Sequence, residues 1–126
     1  MRYVVDASSV VAYLLGEGTD TERSAMLSGG HAPELLDVEA THTLRGLLRA
    51  GKLEPETAER ARSELGETAI RRHRDWALLG RAWELRENCT IYDGLYVALA
   101  EALEATLVTR DASLAKAVGG LVKVGC

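Results

Sequence analysis

Two stretches of this chain, RYVVDASSVVAYLL from Arg2 to Leu15 and ATLVTRDASLAKAV from Ala105 to Val118, share one layout. A short apolar, β-branched strand runs into an acid, and helical sequence follows at once. A strand rich in Val with no polar alternation reads as buried on both faces, as parallel strands are. Parallel strands need a crossover to connect them, and the crossover is usually a helix. A chain that both opens and closes this way is constrained to stack strands in parallel and cover them with helices.

The sequence between fits that frame. Ser8 or Ser9 is placed to cap a helix that runs to about Leu15, and a second, polar helix covers about Asp20 to Ser28, ended by Gly29 and Gly30. His31 and Ala32 read as a short strand, with Pro33 in the first turn of a long helix from Glu34 to Ala50 that Gly51 closes. Pro55 to Leu65 reads as a helix, Ala69 to Arg72 as a strand, and Asp75 to Glu87 as a helix with Trp76, Leu79, Trp83 and Leu85 at helical spacing. Thr90 opens a helix through Glu104, and LVKV near the C-terminus is a last strand. The expected fold class is α/β, a three-layer α/β/α sandwich with a central, mainly parallel sheet. With 126 residues, 47% of them hydrophobic, and no repeat or linker, residues 1–126 are expected to form one domain.

Several classes of protein fall away. The two cysteines, Cys89 and Cys126, are far apart and have no CxxC or His-rich partner, which argues against structural zinc and a disulfide framework and for a reducing cytoplasm. Asp6 interrupts the apolar start, so the N-terminus lacks the layout of a signal peptide, and no apolar run approaches the ~20 residues that span a bilayer. A formal net charge of -4 argues against nucleic-acid binding by bulk positive charge, although local patches such as RRHR at 71–74 remain.

Four acids stand in awkward places. Asp6 and Asp111 leave two strands at the carboxyl edge of the sheet, where α/β folds place their working sites. Glu39 falls beside an apolar stripe of Leu36, Ala40, Thr43 and Leu47, so it should be half-buried; Asp93 shares a helix face with Tyr96, Val97 and Ala100. Singly, each has a plain structural use: Asp6 and Asp111 as helix caps, Asp93 as a complement to a helix dipole, Glu39 as the ion-pair partner of Arg45 or of a neighbouring helix. Together they are harder to dismiss, because carboxylates in one cleft raise one another's proton affinity unless cations neutralise them. Mg²⁺ or Mn²⁺, which prefer oxygen ligands, would do so. Such a site suits phosphodiester hydrolysis. Ser8 and Thr109, each two positions from an acid, either support those carboxylates or cap helices.

The segments VVDASSVVAYLLGE, APELLDVEATHTLRGLLRAGKL, TIYDGLYVALAEAL and ATLVTRDASLAKA, taken in order, resemble the PIN-domain ribonucleases, specifically toxins of the VapC type. The match is collinear over almost the whole chain. The resemblance implies a PIN-like α/β/α fold and a Mg²⁺- or Mn²⁺-dependent endoribonuclease acting on RNA as the toxin of a type II toxin–antitoxin pair. It carries Asp6, Glu39, Asp93 and Asp111 over as the catalytic, metal-binding quartet, with Ser8 and Thr109 in support. It further implies a homodimer and a cognate VapB-like antitoxin whose C-terminal segment lies over the acidic cleft, often with an Arg near the metals.

Other readings stay open. PIN domains also process RNA outside toxin systems, and the fold can serve as a binding module that cuts nothing. A haloacid-dehalogenase-like phosphatase wants an acid where Ser8 stands, and a response-regulator receiver wants a Lys after its last strand, whereas Lys123 lies inside it. Arg45, Arg49 and Lys52, with Arg71, Arg72 and Arg74, either track an RNA backbone or form an ordinary solvated face, the second being the commoner case. Trp76 and Trp83, seven residues apart, fit core or dimer packing better than base stacking. His31, His42 and His73 show no mutual spacing that suggests a ligand set or a base.

Overall fold

The computed structural model describes residues Met1–Cys126. Five strands, β1 (Tyr3–Val5), β2 (His31–Pro33), β3 (Arg71–His73), β4 (Thr106–Val108) and β5 (Lys123–Gly125), pair entirely in parallel in the order β3-β2-β1-β4-β5. Seven helices connect them: α1 (Ala7–Leu14), α2 (Asp20–Leu27), α3 (Leu35–Arg49), α4 (Pro55–Leu65), α5 (Trp76–Glu84), α6 (Ile91–Leu103) and α7 (Ala112–Val118). From β1 the chain builds outward to β2 and β3, then returns past β1 to β4 and β5. Right-handed crossovers therefore send α1 to α4 to one face and α5 and α6 to the other. Consistent with this, α1 packs on α2, α3 and α4, whereas α5 packs on α6, which lies over β1, β2 and β4. The result is the three-layer α/β/α sandwich, with Val4, Val5, Leu107 and Val108 fully buried at its centre.

Local chemistry explains where elements start, and in places moves them from their expected positions. Asp6, rather than Ser8 or Ser9, caps α1: its Oδ1 accepts the Ser9 N–H at 3.1 Å. Pro33 closes β2 instead of opening the long helix. Pairing between β1 and β2 is registered only at Val4 with His31, so the ladder on that side has ended before Pro33 and its missing N–H costs nothing. The start of α3 is capped from a distance, because Asp75 Oδ1 accepts the Leu35 N–H at 3.1 Å. The buried stripe of α3 runs through Leu36, Ala40 and Leu44; Thr43 is exposed, its hydroxyl donating to the Glu39 carbonyl at 3.0 Å.

The indoles of α5 are the clearest departure. Leu78 and Ala82 face inward, while Trp76 is 79% exposed and Trp83 61%, so core packing is not their use in this chain. The Arg86 guanidinium lies 4.6 Å over the Trp83 ring. What brings α5 against α6 is small residues: a Cβ on Gly94 would stand 3.0 Å from Ala82 Cβ and 3.1 Å from its Cα. That close approach fixes the first turn of α6, where Asp93 stands. The third and the last expected strands also shift toward the C-terminus, to Arg71–His73 and Lys123–Gly125. No helix is long and apolar enough to cross a membrane.

Candidate active site

The strand order reverses between β1 and β4, and the crevice at such a switch point is where open α/β sheets bind ligands. Asp6 and Thr109 face each other across it. The Asp6 N–H donates to the Val108 carbonyl at 3.2 Å, extending the β1–β4 ladder by one step past the strands. Its carboxylate then collects three donors: Ser8 Oγ at 2.7 Å and Ser9 N–H at 3.1 Å on Oδ1, and the Thr109 hydroxyl on Oδ2. The same Thr109 oxygen accepts the Asp111 N–H at 3.1 Å, and Asp111 Oδ1 caps α7 by accepting the Leu114 N–H at 3.0 Å. Ser8 and Thr109 thus both touch the carboxylate of Asp6, and Thr109 ties Asp6 to the residue two places on.

Glu39 and Asp93 reach the same crevice from α3 and α6. Glu39 is half-buried, and its Oε1 accepts the Tyr96 hydroxyl at 2.6 Å rather than pairing with Arg45. Burial pushes the Glu39 carboxyl above the ordinary range, and the negative charges of Asp93, Asp6 and Asp75 add to that against the opposing bond from Tyr96. Burial likewise raises Asp93, with Asp111 and Asp6 contributing. Burial and the Glu39 carboxylate push the Tyr96 phenol well above its usual value, so it stays a donor. Glu39 therefore feels Asp93 and Asp6, and Asp93 feels Asp111 and Asp6, although no three His, Cys, Asp or Glu side chains close into a ready-made ion cage. Part of the reason is visible: Asp6 and Asp111 are partly engaged as caps and Glu39 by Tyr96, with lone pairs to spare on each.

Glu22 was not singled out by the sequence. Its side chain is 0% exposed, and Arg110 grips it with a fork, Nε to Oε2 and Nη2 to Oε1, both at 2.7 Å. Burial favours the neutral acid, but Arg110 and the Thr19 N–H at 2.8 Å overcome it and hold the carboxyl down at about 2. This pair ties α2 to the turn between Thr109 and Asp111. A Thr-x-x-Glu capping box at Thr19 was there to be read, but nothing local announces a partner 88 residues away. His31 and His73 are a second pair joined by folding: their Nδ1 and Nε2 lie 2.9 Å apart across the β2–β3 pairing. Burial and nearby Arg71 lower the basicity of both rings.

Among the basic candidates, Arg45, Arg49 and Arg74 are exposed, but Arg72 is committed elsewhere. It bonds Asp37 at 2.9 and 3.3 Å and the carbonyls of Leu65 and Ile70 at 2.8 and 3.0 Å, tying β3 to α3 and to the end of α4. The Arg72 guanidinium is thus engaged within the protein, while Arg71 and Arg74 on either side of the strand segment remain exposed. Arg72→Ala should cost about 2 kcal/mol of folding stability in a denaturant titration, while leaving RNA affinity of the folded protein within about twofold.

Comparison with known proteins bears on the family and the fold. The family model described as PIN domain matches residues 3–120. The chain belongs to the PIN-domain family. Ribonuclease VapC1 of Mycobacterium tuberculosis is 40% identical over 124 residues, covering 92% of this chain and 90% of its own length. Ribonuclease VapC3 of Pyrobaculum aerophilum is 32% identical over 129 residues, covering 97% and 98%. Within the family, the chain is of the VapC type. Among solved structures, a Pyrobaculum aerophilum protein superposes with a TM-score of 0.75 at 24% identity, covering 98% of this chain and 83% of that one. VapBC2 of Rickettsia felis, solved with a DNA fragment from its promoter, gives 0.64 at 14% identity, covering 99% and 98%. At these identities the structural likeness speaks for the fold.

Proposed function

We propose that this chain is a Mg²⁺- or Mn²⁺-dependent endoribonuclease, the toxin of a type II toxin–antitoxin pair, with Asp6, Glu39, Asp93 and Asp111 as its working acids. The observation that supports the reading is that Asp6 and Asp111 leave neighbouring strands at the carboxyl edge of the sheet, joined through Thr109, with half-buried Asp93 near enough for both to raise its carboxyl and half-buried Glu39 near enough to feel Asp6 and Asp93. Such a donor set, all oxygen and strongly anionic, suits a hard divalent ion and suits nothing that prefers sulfur or nitrogen. When bound, the ion supplies an activated water and charge neutralisation at the phosphate.

The chain's own residues hold that chemistry in place. Ser8, the Ser9 N–H and Thr109 fix both oxygens of Asp6, so its orientation does not depend on the ligand. Tyr96 keeps one oxygen of Glu39 occupied and leaves the other available as a ligand. Exposed Arg45, Arg49 and Arg74 supply local positive charge along an RNA backbone despite the net negative chain. A VapB-like antitoxin inserting an Arg among the four acids, with a homodimer as the toxin's form and the cytoplasm as its place, completes the reading.

The test is cleavage of an end-labelled unpaired RNA by the purified protein. Strand scission in Mg²⁺ or Mn²⁺, lost in EDTA and reduced at least about 100-fold in Asp6→Asn with the melting curve retained, is the expected outcome. A folded protein that binds the RNA and leaves it whole in both ions overturns the reading in favour of a binding module.

A further inference from the structure

Beside the four acids lies a cavity of about 430 Å³ lined by Ala7, Leu35, Val38, Glu39, His42 and Tyr92, among others. Its lining is interleaved with the site. Ala7 follows Asp6, Val38 precedes Glu39, which itself faces the cavity, and Tyr92 precedes Asp93. Leu35, Val38 and His42 stand at helical spacing along α3, and Tyr92 faces them from the second residue of α6. Tyr92 is 61% exposed and Val38 is exposed too, so apolar and aromatic surface is left uncovered next to a strongly anionic crevice. Nothing in folding requires that: the core of α6 is complete from Gly94 to Ala100 without Tyr92.

We propose that this cavity receives one unpaired nucleobase of the RNA, stacked on the Tyr92 ring, adjacent to the phosphate that the acids address. The proposal rests on the nuclease reading and names the form of RNA that reading requires. Three features select the occupant. The only formally charged residue of the lining is Glu39, so a phosphate is repelled, whereas a neutral planar ring is not. The cavity is within the range of about 300–1,000 Å³ of small-ligand sites, room for a base with part of its ribose. Tyr92 and Val38 offer flat apolar contact, and the two ring nitrogens of His42 can donate to or accept from a base edge. A base can enter only if it is neither paired nor stacked in a duplex, so the substrate is a single strand or a loop. Sequence tolerance follows, since every base has a face to stack.

The probe is a fluorescent unpaired RNA oligonucleotide, with the same sequence annealed to its complement as the control. Binding is read by anisotropy on the Asp6→Asn protein, which does not turn over, and kcat and KM are read on the otherwise native chain. Tyr92→Ala should weaken binding of the unpaired RNA between about fivefold and about 100-fold and raise KM more than it lowers kcat, while Tyr92→Phe stays within about twofold of the parent. Affinity unchanged in Tyr92→Ala overturns the proposal. So does equal loss in Tyr92→Phe, which makes the hydroxyl the contact, or equal binding of duplex. If Tyr92→Ala leaves RNA binding intact and instead weakens binding of the product of an adjoining antitoxin-like reading frame, the cavity is a protein-docking site and the proposal falls. Tyr92-dependent binding without any cleavage would sustain the subsite and sink the nuclease reading, which keeps the two failures apart.

Discussion

Arg110→Ala should lose about 3 kcal/mol of folding stability at neutral pH, more than a surface arginine ordinarily carries. The reason lies in its partner. Glu22 is sealed from solvent, and its carboxylate is tolerated only because the Arg110 fork and the Thr19 N–H replace the water it gave up. Without the guanidinium the acid stays buried with a fraction of its bonds, and it must take a proton or drag α2 open. Glu22→Gln removes the charge but keeps the shape, and Arg110, which is partly exposed, can turn to water; this variant should cost less.

The pH dependence distinguishes this account from general loosening. In the native chain Glu22 titrates at about 2 against an ordinary value of 4.5, so its contribution is present above pH 4.5 and fades as pH falls toward 2. In Arg110→Ala burial is opposed only by the remaining bonds from Thr19 and Ser9, so the carboxyl moves up from about 2 and this contribution shrinks. Denaturant titrations from pH 7 to pH 3 should therefore show the gap between native chain and variant narrowing in acid. A gap that stays constant would mean that the lost bond to the Glu17 carbonyl, not the ion pair, sets the cost. Because Thr109 and Asp111 flank Arg110, RNA cleavage in the variant should drop even at temperatures where it remains folded.

Why Glu22 escaped the sequence while Asp6 did not is instructive. An acid that ends a buried parallel strand breaks a local pattern, so Asp6 after β1 and Asp111 after β4 could be placed at the sheet edge from a dozen residues each. The ends of α4 were equally local, set by Pro55 at its start and Gly66 after Leu65. Glu22, by contrast, sits in a helix that reads as polar, and only tertiary contact with Arg110 makes it core. The His31–His73 pair depends in the same way on β2 and β3 becoming neighbours.

The errors were of phase. On α3, Thr43 and Leu44 are both compatible with a stripe through Leu36 and Ala40, and the helix settled with Leu44 inside. On α5, of the core or dimer packing expected for the indoles, the core part fails, because the small residue Ala82, packed against Gly94, sets which side of the helix faces inward. Small residues carry little signal in an apolar pattern, yet they determine where two helices can touch. RRHR holds a related lesson: charge composition reads as one patch, but on folding Arg72 pairs with Asp37 while Arg71 and Arg74 stay exposed.

Asp93→Asn should have opposite effects on stability and on cleavage. Both Glu39 and Asp93 bind protons more tightly in the fold than free in solution. For acids shifted that way, the stabilising contribution exists below their ordinary values and disappears as pH rises through the raised ones, so at neutral pH the cation-free crevice strains the fold. Replacing one repelling charge by an amide of equal size should raise the melting point in EDTA by about 4 °C, corresponding to about 1 kcal/mol. Cleavage should fall at least about 100-fold, since an amide is a poor ligand for a hard cation. Added Mg²⁺ should then lift the melting point of the native chain clearly at pH 7.5, less at pH 5 where protons compete for the same oxygens, and hardly at all in Asp93→Asn. If Asp93→Asn instead melts lower in EDTA, the carboxylate is holding α6 in place rather than repelling its neighbours, and the crevice is not under the charge stress from which its chemistry has been argued.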